Sequence, residues 1–390
     1  MARLENVVVV AYGRSAIGRA GKKGALRETH PLDLGAGVLK GILETKLPQL
    51  DPALIDDVVM GCANQDMKQG YNPARMVTNA AGVPYSVPAM SINRFCSSGL
   101  QAIAIGAAEI ESGLSNIVVA GGLESMTAVP LTYDRTPYYA QSIVENDPNQ
   151  YISMGMTAEN VAERYHITRD EMEEMAVRSH EKAAAAQEAG KFDNEIIPLP
   201  GVDEDGNPIV FDKDQGIRKG TTKEILAKLK PCFKEDGVVT AATSSQTSDG
   251  ASFVVLMSVN KAKELGIKPI AKFIGFAVAG CDPAYMGTGP MYAVPKVMEL
   301  TGLTVDDMDV IEINEAFAAQ AIPCIRTLKM NMDKVNPNGG AMALGHPLGA
   351  TGAILTCKAL NELSRTGGKY ALVTMCIGGG QGAAGIYEMC

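Results

Sequence analysis

Short apolar runs alternate with alanine-rich stretches along this chain. Residues 7–10 (Val-Val-Val-Val), 58–60 (Val-Val-Met), 117–119 (Ile-Val-Val), 253–256 (Phe-Val-Val-Leu), 310–313 (Val-Ile-Glu-Ile) and 371–374 (Ala-Leu-Val-Thr) are continuously or nearly continuously apolar. That is the pattern of strands covered on both faces, not of strands with one wet face. Helices are expected between them, over 100–110 and 353–363 among others. The alternation predicts an α/β protein whose sheets carry helices on both sides.

Three features recur in order. An acidic residue feeds a strand at Asp57-Val-Val-Met-Gly and again at Asp309-Val-Ile-Glu-Ile. A reactive residue then opens a helix of small residues: Cys96-Ser-Ser-Gly-Leu-Gln-Ala early, His346-Pro-Leu-Gly-Ala-Thr-Gly-Ala late. A strand with glycines at or just past its end follows each, over 116–122 and 370–380. The steps are alike, 96 − 57 = 39 and 346 − 309 = 37 residues. An internal duplication accounts for this, and it turns two helix openings toward one site. Residues 123–240 break the rhythm with charged helices over 158–165 and 169–189, a turn-rich piece at 201–208, and basic residues Arg218, Lys219, Lys223, Lys228 and Lys230. They read as an insertion in the first half that lies over the site. The division expected is therefore 1–122 with 241–268 as the first half, 123–240 as the insertion, and 269–390 as the second half. The basic residues are equally the composition of a solvated helix face.

Length agrees with more than one ordinary domain, at 390 residues. The net charge of −9 argues against a nucleic-acid or membrane-surface partner. No apolar run approaches the roughly 18 residues of a membrane span. The first apolar stretch is a buried strand, not a signal peptide. Eight scattered cysteines with no C-x-x-C pair form neither a disulfide framework nor a zinc site. A cytoplasmic protein with reduced thiols is expected.

Cys96 lies in Asn93-Arg94-Phe95-Cys96-Ser97-Ser98-Gly99. A thiol at a helix N-terminus meets the positive end of the dipole, which favours the thiolate, and backbone N–H groups there can bind an oxyanion. Alone, the motif leaves a buried structural cysteine open. His346 is set among five glycines and two prolines between Pro337 and Gly352, a loop through which backbone can come close to a ligand. Imidazole there can activate a thiol or hydrogen-bond an enolate oxygen; a helix cap is the alternative. His30, His166 and His180 are expected at the surface. Cys376 precedes Ile-Gly378-Gly-Gly, a second thiol beside bare backbone N–H groups, or else a strand-end core cysteine. Gly380-Gln-Gly-Ala-Ala-Gly matches G-x-G-x-x-G, but only five residues follow it, too few for the helix and acidic residue of a dinucleotide site. Asn314, after the acidic strand, can hold a water in an oxyanion pocket or cap a helix.

Taken together, Cys96 in C-S-S-G, Asn314 in N-E-A-F-A, His346 in G-H-P-x-G and Cys376 in C-x-G-G-G resemble the thiolase family, in order and spacing, over the whole chain. The resemblance implies a five-layered α-β-α-β-α fold of two similar halves with an inserted loop domain. It implies that Cys96 is the acylated nucleophile, that Cys376 shuttles a proton at C2, and that His346 activates Cys96. With a water on Asn314, His346 also serves the enolate oxyanion. The N–H groups of Cys96 and Gly378 are the implied second oxyanion site. Arg218 and Ser245 are implied CoA contacts, Phe233 and Phe317 walls of the pantetheine tunnel, and Met154 a substrate contact. The resemblance implies no metal and no permanently bound cofactor, CoA and acyl-CoA as substrates, and a homodimer or homotetramer.

The segments Cys-Ser-Ser-Gly-Leu-Gln-Ala and Ser-Ser-Gln-Thr-Ser-Asp-Gly look more like degradative 3-ketoacyl-CoA thiolases, as in β-oxidation, than biosynthetic acetoacetyl-CoA thiolases. Ser153 stands where many biosynthetic members carry histidine. An acetyl-CoA C-acetyltransferase is the alternative, followed by a ketoacyl synthase relative and a non-catalytic acyl-CoA binding module.

Overall fold

The structure is a computed structural model that describes residues 3–390. Among the described residues the main sheet has ten strands, nine of them on one continuous path: β1 (Val7–Arg14), β2 (Asp57–Gly61), β3 (Ala89–Ile92), β4 (Ile117–Ser125), β5 (Ser248–Ser258), β6 (Ala271–Gly280), β7 (Val310–Ile313), β8 (Tyr370–Ile377) and β9 (Gln381–Met389). Their spatial order is β7-β8-β9-β6-β1-β5-β4-β2-β3, and a two-residue strand, Gly18–Arg19, extends the pairing of β5. The duplicated pattern is visible in the pairing. β2 and β4 run parallel, then β4–β5 and β5–β1 are antiparallel. β7 and β8 run parallel, then β8–β9 and β9–β6 are antiparallel. The halves join edge to edge through β1 and β6, in register only at Val8/Lys272 and Val9/Ala271.

The helices used below are α1 (Pro31–Thr45), α2 (Pro73–Ala80), α3 (Ser98–Glu111), α4 (Met154–Arg164), α5 (Arg169–Glu188), α6 (Gly289–Thr301), α7 (Ala318–Thr327) and α8 (Leu348–Thr366). Strand residues alternate between two cores, as a period of two requires. Val7 and Val9 of β1, and Ala371, Val373 and Met375 of β8, face a central core shared with Leu100 and Ile103 of α3 and Leu355 and Leu360 of α8. Val8 and Val10 face the other way, against Leu39 and Ile42 of α1 and Val77 of α2. In the second half Leu372, Ile311 and Ile386 pack outward on Val294 and Val297 of α6 and Ile322 of α7. Helices, sheet, α3 with α8, sheet, helices: these are the five layers expected. Among the described residues no helix is long and apolar enough to cross a membrane.

Local chemistry sets the element ends. α5 begins with a reciprocal capping box between Thr168 and Glu171. α4 begins at Met154, earlier than the apolar pattern suggested, because the Ser153 hydroxyl accepts from the Met156 N–H. The turn-rich piece at 201–208 is the tip of a hairpin, Leu199–Val202 with Pro208–Phe211. The G-x-G-x-x-G match lies in and beside β9, an antiparallel strand, as its rejection required.

Candidate active site

α3 and α8 touch at their opening turns. A Cβ on Gly99 would lie 2.9 Å from the Ala353 nitrogen and the Gly349 carbonyl, and one on Gly352 would lie 2.3 Å from the Leu100 nitrogen. Backbone meets backbone there, which only glycine allows. The residues just ahead of these turns are Cys96 and His346, so the crossing brings the two motifs to one place.

Cys96 follows β3 and sits in a 3₁₀ turn, Phe95–Ser97, that leads into α3. Its thiol is 7% exposed. Burial pushes the thiol up to about 11, against the N–H groups of Gly378 and of Cys96 itself, which point at the sulfur and favour the thiolate. The Glu124 carboxylate raises it further. The expected dipole-stabilised thiolate is therefore corrected: desolvation outweighs the helix end, and the resting group is a thiol. Cys376, at the end of β8, is fully buried. Burial first, then the nearby Cys96 sulfur, hold it well above the ordinary thiol range.

His346 is held at both ends. Its backbone N–H donates to the Gln246 carbonyl at 3.1 Å and to Ser248 Oγ at 3.2 Å. Thr351 Oγ1 donates to the Pro347 carbonyl at 3.0 Å and lies 2.6 Å from His346 Nδ1, from which it accepts. The tautomer assigned by this network carries its proton on Nδ1 and its lone pair on Nε2. Asn314 Nδ2 donates to Nε2 at 3.3 Å. Burial lowers His346 to about 4, so the ring is neutral near pH 7. Pro347, not the histidine, occupies the cap position of α8. Asn314 caps no helix either. Its Oδ1 is buried without a partner among the described residues, an acceptor open to a water. The loop after it is fixed by the Glu315 carboxylate, which accepts from Ser179 Oγ at 2.6 Å and Asn336 Nδ2 at 2.8 Å.

The remaining residues divide into two places. A Cβ on Gly378 would lie 3.5 Å from Met154 Sδ and 3.8 Å from the Phe95 ring, so both side chains flank the loop beside Cys96. Phe233 covers Gly155 and meets Phe317 edge to face, centroids 5.9 Å apart. Ser245 donates its N–H to the Ala316 carbonyl, next to Phe317. Arg218 is elsewhere, exposed over α5, where it borders a surface groove of about 280 Å³ with Glu181, Glu188 and Thr221. Its backbone N–H donates to His180 Nδ1 at 3.2 Å, and among the described residues no protein group pairs with its guanidinium. His180 is no surface residue: it is 4% exposed, and burial, with Arg218 beside it, lowers it to about 4. Its place on the inward face of α5 decided this, where its polar neighbours in sequence suggested otherwise.

Two residues of the site escaped the sequence. Thr351, which fixes the tautomer, lies within the His346 motif but has no chemistry of its own to mark it. Glu124, next to last in β4, is fully buried and accepts from the N–H groups of Ala63 at 2.8 Å, Asn64 at 3.2 Å and Gly349 at 2.9 Å, tying the opening of α8 to the loop after β2. An acid closing an apolar run was its signal.

Residues 7–260 match the family profile described as thiolase, N-terminal domain, and residues 267–389 that described as thiolase, C-terminal domain. The chain belongs to the thiolase family. It is 47% identical to the 3-ketoacyl-CoA thiolase of Bacillus subtilis (strain 168), with 99% of this chain and 100% of that protein aligned. It is 45% identical to the acetyl-CoA acetyltransferase of Allochromatium vinosum, over 97% and 98%. The crystal structure of the Bacillus anthracis acetyl-CoA acetyltransferase superposes over 100% of both chains with a TM-score of 0.90 at 40% identity. That of human mitochondrial 3-ketoacyl-CoA thiolase covers 99% and 100% with a TM-score of 0.91 at 37% identity. The thiolase fold and acyltransferase class follow, and with them CoA thioesters as the substrate class.

Proposed function

We propose that the protein cleaves 3-ketoacyl-CoA with CoA, giving acetyl-CoA and a shortened acyl-CoA, and runs the reverse condensation through the same acyl-Cys96 intermediate. His346 Nε2 takes the Cys96 proton, and the thiolate attacks the C3 carbonyl. The oxyanion is met by the N–H groups of Cys96 and Gly378. The C2–C3 bond breaks, and the enolate of acetyl-CoA is stabilised by the new Nε2–H and by a water on Asn314. Cys376 gives its proton to C2. After acetyl-CoA leaves, the Cys376 thiolate takes the proton of free CoA, whose sulfur attacks acyl-Cys96; the departing Cys96 sulfur takes back the proton from His346 Nε2, and both thiols and the neutral imidazole are restored. The observation that carries this reading is the neutral His346, held by Thr351 at Nδ1 with an unprotonated Nε2 facing Asn314, at the helix that packs on the turn of Cys96. A base that must accept a proton and then donate a hydrogen bond from the same atom needs that tautomer.

The test is thiolysis of a 3-ketoacyl-CoA series with CoA, followed by loss of 3-ketoacyl-CoA absorbance. Turnover of chains longer than acetoacetyl-CoA supports this reading. Turnover of acetoacetyl-CoA alone supports an acetyl-CoA acetyltransferase, as one relative is named, and no turnover with tight acyl-CoA binding leaves a non-catalytic module. Residues 123–240 form the proposed cover over the CoA end, with Phe233, Phe317 and Ser245 along the pantetheine path, Met154 a substrate contact beside Cys96, and Arg218 at the nucleotide. A guanidinium remote from the carbon chemistry acts about equally on ground and transition states. Arg218→Ala should raise KM for CoA thioesters about five- to thirtyfold with kcat nearly unchanged. A pantetheine thioester lacking the nucleotide should show no such change. Equal KM values for parent and variant with CoA thioesters would remove Arg218 from the site.

A further inference from the structure

We propose that the Phe95 ring is a wall of the acyl-chain pocket, and that its contact with the chain sets how well Cys96 accepts long acyl groups over short ones. The inference rests on the acyl-Cys96 reading above and adds to it a residue that determines specificity. Phe95 has a positive φ of 43°, in the left-handed region that a bulky side chain adopts only when its surroundings hold it there. They do hold it. Its N–H donates to Asn93 Oδ1 at 2.7 Å, its carbonyl accepts from Ser98 Oγ at 2.7 Å, and the same Ser98 oxygen accepts from the Arg94 N–H at 2.9 Å.

The consequence is a phenyl ring turned away from the core. It is 47% exposed although the next residue, Cys96, is buried. The ring does not point at random. It passes over the glycine loop, 3.8 Å from where a Cβ on Gly378 would be and 3.9 Å from one on Gly379. Met154 Sδ lies 3.5 Å from the first of these positions and Gln150 Oε1 3.9 Å from the second. Phe95, Met154 and Gln150 thus all border the space above Gly378 and Gly379.

An acyl group on Cys96 must use that space. Its carbonyl oxygen is drawn to the N–H groups of Cys96 and Gly378, which already point at the sulfur. Cys376 and the His346–Asn314 pair occupy the side where the carbon–carbon bond is made or broken. The methylenes beyond the carbonyl therefore leave past Gly378, along the Phe95 ring and near Met154. An unpartnered apolar ring gains by being covered, and each methylene laid on it adds to binding in proportion to the area removed from water. Acetyl has no methylene to lay there. A longer chain does.

The test uses the full chain with Phe95→Ala and Phe95→Leu. For each, kcat/KM is measured with acetoacetyl-CoA and with 3-ketoacyl-CoA of six, eight and ten carbons. The ratio of long to short should fall about tenfold or more in Phe95→Ala and recover in part in Phe95→Leu. In parallel, Cys96 is labelled with alkyl methanethiosulfonates from methyl to octyl, each forming the mixed disulfide and releasing methanesulfinate. Rates are read by peptide mass spectrometry against the exposed thiols Cys232 and Cys390 as internal references. The octyl-to-methyl ratio at Cys96 should fall in Phe95→Ala by a similar factor. If no variant or parent turns over any thioester yet this labelling ratio falls, the proposed reaction is wrong and the pocket assignment stands. Three results overturn the assignment: ratios unchanged, a ratio that rises because the ring was a steric stop, or a change in oligomer mass on sedimentation with labelling ratios intact, which would make Phe95 a contact between copies.

Discussion

At Cys96 and His346 two neutral groups face a reaction that needs an ion pair. Burial holds the thiol up at about 11 and the imidazole down at about 4, so neither carries charge at rest. Alkylation, which needs the thiolate, should therefore quicken about tenfold for each pH unit from 7 to 10 at Cys96. The rate of carbamidomethylation of the Cys96 peptide measures it, and a plateau below pH 8 would mean a thiolate–imidazolium pair already formed. Cys376 has the harder proposed task, since in the shuttle proposed above its sulfur exchanges a proton with carbon while wholly buried. Cys376→Ser should still take an acyl group on Cys96 but should exchange the C2 protons of acetyl-CoA at a small fraction of the parent rate, because a serine hydroxyl is too weak an acid and base. Rapid deuterium uptake in that variant would remove Cys376 from the proposed shuttle. Both thiols, the imidazole and Asn314 could be singled out as candidates in the sequence because their side chains carry distinctive chemistry in or near glycine-rich settings. Thr351 and Phe95 were not. One acts only through a partner across a helical turn, the other through a backbone angle that composition does not encode.

Among the elements, the two helices that present Cys96 and His346 depend on how closely their openings approach. Gly352 makes the sign of a substitution worth deciding. Helix propensity alone says that Gly352→Ala in α8 stabilises by about 1 kcal/mol. The new Cβ, however, would lie 2.3 Å from the Leu100 nitrogen, a backbone atom with no rotamer to yield. Overpacking of that kind costs about 1–3 kcal/mol and must be relieved by moving one helix from the other. The variant should melt lower than the parent and lose kcat by more than its stability loss explains, since the movement parts Cys96, the proposed nucleophile, from His346, its proposed base. Circular dichroism melting with initial rates checks both, and a raised Tm would mean the helices separate freely there. The continuously apolar strands were readable because burial on two faces leaves a plain signature. β9 was not readable as a strand. Gln-Gly-Ala-Ala-Gly has poor strand propensity, and it pairs because small residues let β9 lie against Gly289 at the start of α6.

Across the whole molecule, one buried side chain is a central fastening of the segment proposed to cover the CoA end, beside the backbone pairing of Arg14 with Glu195 and Ile197. Arg14, the last residue of β1, is fully buried. Its Nε donates to Glu195 Oε1 at 2.8 Å, and its two terminal nitrogens grip Asp214 at 2.8 and 3.0 Å. Glu195 and Asp214 both belong to that segment. Glu195 Oε2 in turn accepts from Asn361 of α8 at 2.9 Å, and Asp214 Oδ1 from the Ile17 N–H at 2.8 Å. The planar guanidinium fork suits this arrangement and an ammonium does not. Removing one partner of such a cluster strands buried charge, whereas replacing all partners by neutral groups does not. Arg14→Met alone should therefore cost about 3–5 kcal/mol in urea unfolding. Arg14→Met combined with Glu195→Gln and Asp214→Asn should cost clearly less, even though it alters more residues. Limited proteolysis should open 190–240 in the single variant before the strands of the sheet. If the triple variant proves as unstable as the single one, stranded charge is not the source of the loss, and the fastening lies in the shape of the fork and the Phe192 ring that packs over it, 5.3 Å from the guanidinium carbon.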